Sequence, residues 1–73
     1  MENLNRLKAV LADAGQTNKW LAEQLGKDPA TVSKWVTNVS QPSLELLLQM
    51  AKILNVEIQD LIRINALDIE KSE

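Results

Sequence analysis

Residues 18–37 read NKWLAEQLGKDPATVSKWVT, and the fold is decided there. Two short helices packed steeply across a tight turn need a small residue where they touch, a glycine or its equivalent at the turn, and apolar residues beneath both. The stretch supplies each of these in register. Leu21 and Leu25 lie one turn apart on the inner face of the leading helix, and Ala22 is the small contact residue. Gly26 opens the turn, Asp28 is a good N-cap, and Pro29 sits in the first helical turn, where its missing N–H costs nothing. Val32 and Trp35, three apart, pin the second helix down. The spacing predicts a helix-turn-helix.

The helical period continues on both sides. Residues 4–14 form a first helix with Leu4, Leu7, Leu11 and Ala14 on one face, closed by Gly15, and Thr17 caps the second. The third ends near Thr37, where Asn38 tolerates a left-handed turn. Pro42 blocks continuation and Ser43 caps a fourth helix reaching residue 54, with Leu44, Leu47, Leu48, Ala51 and Leu54 expected to face inward. Asn55 stops it. A fifth helix starts around residue 57 with Ile58, Leu61 and Ile62, and its apolar period runs on to Leu67. The expected class is all-α, a five-helix domain over residues 1–67 followed by a flexible tail at 68–73.

A chain of 73 residues has room for one modest core, and with no Cys and no His it must rely on helix packing or a partner subunit rather than disulfides or metal. The missing Cys fits a reducing compartment. No segment approaches the roughly 20 apolar residues of a membrane span, so a cytoplasmic protein without a membrane partner is expected. The net charge of −2 is unevenly spread. Up to Gln41, Arg6, Lys8, Lys19, Lys27 and Lys34 outnumber Glu2, Asp13, Glu23 and Asp28. From Pro42 onward, Lys52, Arg63 and Lys71 face Glu45, Glu57, Asp60, Asp68, Glu70 and Glu73. The positive part coincides with the helix-turn-helix.

With Val32 and Trp35 turned inward, Pro29, Ala30, Ser33, Lys34 and Thr37 remain outside. In a helix-turn-helix the N-terminal end of the second helix enters the major groove of double-stranded DNA. There Ala30 and the Thr31 methyl match a thymine methyl, Ser33 donates or accepts, and Lys34 reaches guanine O6 and N7. Lys19, Lys27 and Arg6 surround the motif as phosphate contacts, or are ordinary solvated charges. Trp35 reads as core rather than a stacking platform. Trp20, beside inward-facing Leu21, is either partly buried or laid against the DNA backbone, and Met50 is a core aliphatic. Ser33 beside Lys34 is no nucleophile pair, because adjacent helix positions point apart and no third group orients them. An enzyme, a cofactor and a small-molecule ligand are therefore not expected.

The stretch TNKWLAEQLGKDPATVSKW, followed by QPSLELLLQMAKIL and then Val56-Glu57-Ile58, resembles the lambda-repressor-like family of the Cro/C1 or XRE type. The resemblance implies a bacterial or phage DNA-binding domain, usually a dimer on a two-fold symmetric operator. It implies that Asn18, at the start of the second helix with Thr17 and Lys19, contacts a phosphate. It also implies that Pro29, Ala30 and Lys34 read bases, and that Thr37 and Asn38 touch the backbone. Pro29 and Ala30 replace side chains that often hydrogen-bond to bases, which shifts weight toward DNA shape. Gln16 stands in for a usual apolar residue and Asn38 for a usual Gly.

Leu46, Ile53, Ile64 and Leu67 exceed what one small core holds. They suit a C2 homodimer, or a longer fifth helix folded back on its own domain. The expected function is a homodimeric transcriptional regulator with no sensor domain, controlled by its own concentration. The competing reading is a protein-interaction module, such as an antitoxin acting mainly through a protein partner.

Overall fold

The computed structural model describes residues 3–63. Four helices, α1 (Leu7–Ala14), α2 (Asn18–Leu25), α3 (Pro29–Val36) and α4 (Leu44–Leu54), are followed by a 3₁₀ turn at Ile58–Leu61. The expectations for Ile64, Leu67 and the tail from residue 68 fall outside the described residues.

All four helices stop in the same way. Gly15, Gly26, Asn38 and Asn55 each adopt a left-handed backbone, with φ of 68°, 67°, 64° and 59°. The residue after each donates its N–H to the carbonyl five positions back: Gln16 to Leu11 (2.9 Å), Lys27 to Ala22 (2.9 Å), Val39 to Lys34 (2.8 Å) and Val56 to Ala51 (2.9 Å). This is the Schellman closure, which satisfies carbonyls a helix end leaves without partners. At the start of α2 and α4, the Thr17 and Ser43 hydroxyls accept the N–H of Trp20 (3.0 Å) and Leu46 (3.1 Å). Asp28 occupies the N-cap of α3 without a side-chain bond, and Pro29 follows it.

The first and last elements differ from the sequence expectation for one shared reason. Asn5 and Ile62 pair as an antiparallel bridge. Arg6 donates to the Leu61 carbonyl and Arg63 to the Leu4 carbonyl, both at 2.9 Å. Extended pairing takes Leu4 and Asn5 out of the first helix, so α1 starts at Leu7. It also holds Ile62 extended (φ −121°, ψ 139°), which limits the fifth helix to a single 3₁₀ turn among the described residues.

The core sits where the five elements converge. Each contributes one fully buried side chain: Leu7, Leu21, Val32, Met50 and Leu61. Trp35, Val36, Leu11, Ala22 and Leu54 pack around them. Fully burying an aliphatic side chain stabilises by about 1.5–3 kcal/mol, so this centre is the main source of stability in a chain without cross-links. Leu44 and Leu48, expected inward, are instead 65% and 49% exposed. The inner face of α4 runs through Met50, Ala51 and Leu54. Leu48 lies about 200° around the helix from Met50, and Leu44 opens the helix beyond the edge of the core.

Candidate nucleic-acid interface

α3 packs chiefly on α2, and its side chains divide cleanly by burial. Val32, Trp35 and Val36 are buried at 0%, 6% and 6% exposure. Pro29, Ala30, Thr31, Lys34 and Thr37 are exposed, and Ser33 is half-buried. The outer face of α3 therefore presents two small apolar groups at its N-terminal turn, then a methyl-bearing hydroxyl, then a long cation one turn on. None of the large exposed apolar side chains among the described residues lies on α3. A narrow face of this kind meets a groove edge-on without desolvating a greasy surface.

The predicted backbone-contacting residues fare unequally. Thr17 accepts the Trp20 N–H and keeps its own proton for an outside acceptor. Asn18 is half-buried at the first position of α2 and Lys19 is exposed, beside the unpaired N–H groups and positive dipole end that favour a phosphate. Lys27 is exposed in the turn. Thr37 is exposed, but its hydroxyl donates to the Ser33 carbonyl at 2.8 Å, so donation to a phosphate requires that bond to be exchanged.

Asn38 must be corrected. It is only 6% exposed, and its amide oxygen accepts from the Leu4 and Asn5 N–H groups and from Gln41. A side chain turned inward and engaged at both ends cannot reach a phosphate.

Two cations were missed. An open groove of ≈ 520 Å³ between α1 and the end of α3 is rimmed by Arg6, Lys8 and Arg63, with Thr37 at its α3 wall and no carboxylate in its lining. Arg6 Nη1 makes only a long contact with the Asp60 carbonyl (3.4 Å). The helical period puts Lys8 outside without saying what it faces. Arg63 reaches α1 only through the Asn5–Ile62 pairing, which no local pattern announces.

Of the expected dimer residues, Leu46 is half-buried and packs on its own core, and Ile53 is half-buried as well. The free apolar surface of α4 is Leu44 and Leu48. Trp35 is core, as its spacing implies, and Trp20 is half-buried against that core. Among the described residues, no helix is long and apolar enough to cross a membrane.

A family profile described as helix-turn-helix matches residues 7–61, from the first residue of α1 to the last of the 3₁₀ turn. Among solved structures, the chain is similar to a candidate DNA-binding protein from Bacteroides fragilis. The two are 53% identical with a TM-score of 0.81, over 82% of this chain and 97% of that one. A comparison with curated proteins returns no match.

Proposed function

The chain belongs to the Cro/C1-type helix-turn-helix family, and on that premise we propose that it is a sequence-specific transcriptional regulator that binds a two-fold symmetric DNA operator as a homodimer. The observation that carries this reading is the outer face of α3, where Pro29, Ala30, Thr31 and Lys34 are exposed while Val32, Trp35 and Val36 anchor the helix from behind. Its 53% identity to a candidate DNA-binding protein over nearly all of that chain supports the same assignment.

In the proposed complex, α3 enters the major groove N-terminus first. Ala30 and the Thr31 methyl lie against thymine methyls, and Lys34, with Ser33 beside it, reaches guanine acceptors. Pro29 cannot donate a backbone hydrogen bond and Ala30 has no polar group, so direct readout is concentrated on few side chains. DNA shape and flexibility supply the rest of the discrimination. Thr17, Asn18, Lys19 and Lys27 hold one stretch of phosphates, and Arg6, Lys8 and Arg63 hold another along the basic groove. The protein acts without catalysis, in the bacterial cytoplasm. The second copy docks through the apolar surface of α4, and the two α3 helices enter successive grooves about 34 Å apart.

The exposed Leu44 and Leu48, on the acidic half of the chain, also support a protein-interaction module as the second reading. Titration of labelled promoter duplexes at two salt concentrations separates the two. DNA binding through phosphates makes the logarithm of affinity fall linearly with the logarithm of salt. A steep negative slope with preference for one duplex is expected. Absent or salt-insensitive binding to every duplex refutes the regulator and leaves the interaction module.

A further inference from the structure

Only two polar side chains among the described residues are buried, Asn5 at 5% and Asn38 at 6% exposure, and the side chain of Asn38 bonds to the backbone of Asn5. The Asn38 Oδ1 accepts three N–H donors: Leu4 N–H (2.9 Å), Asn5 N–H (3.0 Å) and Gln41 Nε2 (3.0 Å). Its Nδ2 donates to the Asn5 carbonyl at 3.3 Å. The Asn5 Oδ1 accepts the Leu7 N–H at 3.0 Å and so starts α1. Its Nδ2 donates to the Trp35 carbonyl (2.8 Å) and to Gln41 Oε1 (2.7 Å). No buried side-chain polar atom among the described residues is left without a partner.

From this arrangement we propose that Asn5 and Asn38 form a polar clasp that sets the angle of α3, which makes Asn38 a positioning residue for DNA recognition although it touches no DNA. The proposal rests on the DNA-binding reading for its functional half. Its structural half stands alone.

Three observations carry it. The clasp grips α3 at the Trp35 carbonyl, one residue after Lys34 and two before Thr37, so a shift there moves both outward-facing side chains. Apolar packing under α3 is non-directional and tolerates small slides and rotations, whereas a fully satisfied buried network admits one geometry. Finally, Asn55 has the same left-handed backbone and the same helix-closing role, yet its side chain is exposed. The left-handed turn alone therefore does not call for a buried asparagine. What distinguishes Asn38 is the attachment to α1 and, through the Asn5–Ile62 pair, to the chain near Arg63.

The test uses Asn38→Gly, which accepts the left-handed φ and removes the three-fold acceptor, with Asn55→Gly as the matched control. Gln41→Ala, at an exposed position, is the milder variant if Asn38→Gly folds poorly. Hydrogen exchange is read at the Thr37 and Val39 amides, whose acceptors, the Ser33 and Lys34 carbonyls, the substitution leaves in place. Duplex affinity is read at a temperature where each variant is folded.

Protection at Thr37 and Val39 should fall at least about tenfold more than at Leu21 or Leu25. Affinity should fall about tenfold, as when α3 holds its competent angle only a tenth of the time. Asn55→Gly should show neither effect. A uniform loss of protection that tracks global stability, or unchanged affinity in the folded variant, overturns the proposal. If the wild-type chain binds no duplex, it is the DNA reading that fails, and the exchange data alone decide whether the clasp positions α3.

Discussion

The surface formed by α1 and α3 and the surface formed by α4 share one core but present opposite chemistry. The first carries Arg6, Lys8 and Lys34, with Arg63 joined to it, and neither helix exposes a large apolar side chain. The second exposes Leu44 and Leu48 beside Glu45. Five side chains, one from each element, support both surfaces. In the proposed complex a chain with net charge −2 meets a polyanion along a groove lined by three cations and no carboxylate, and repulsion from more distant carboxylates is screened within about 8–10 Å at physiological salt.

Four substitutions sharpen or break this division. The largest effect is expected from Lys34→Ala, which should weaken binding to the preferred duplex by about 1–3 kcal/mol and relax discrimination at one base pair, with sedimentation unchanged. An equal loss on every duplex reassigns Lys34 to the phosphates. Next is Leu48→Gln. A leucine already half-buried in the single chain has roughly half its burial free energy left to gain, so self-association should weaken by about 1 kcal/mol. Unchanged dimer mass by sedimentation equilibrium moves the interface off α4. Smallest are Lys8→Gln and Arg63→Gln, each of which should reduce the salt slope by about 0.9 and leave base preference intact. A slope equal to that of wild type removes the groove from the DNA-contacting surface.

The helix ends were legible because their causes are local. Gly15, Gly26, Asn38 and Asn55 close four helices, and Thr17 and Ser43 cap two, each acting over a few residues. The inner face of α3 was equally plain, since Val32 and Trp35 leave little choice of orientation. The face of α4 was not, because Leu44, Leu46, Leu47 and Leu48 crowd one turn and allow several rotations. Only packing against Leu7, Leu21 and Leu61 selects the one with Met50 at the centre. What the sequence concealed entirely was pairing between distant segments. The Asn5–Ile62 bridge shortens α1, leaves a 3₁₀ turn as the only helical part of the fifth element among the described residues, and delivers Arg63 to the groove. The contacts of Asn38 with Leu4 and Asn5 convert a presumed phosphate ligand into an internal fastening. Neither leaves a periodicity or a cap signature behind.

The most direct test of the account is a map of backbone amide shifts as the preferred duplex is added to the isotopically labelled protein. The account predicts that the largest changes fall on Asn18, Lys19 and the α3 positions from Ala30 to Lys34, with smaller ones at Lys8 and Arg63. With the protein concentrated enough to be dimeric before duplex is added, Leu48 and Lys52 on α4 should stay unmoved. Changes centred on α4, with α3 silent, would contradict it.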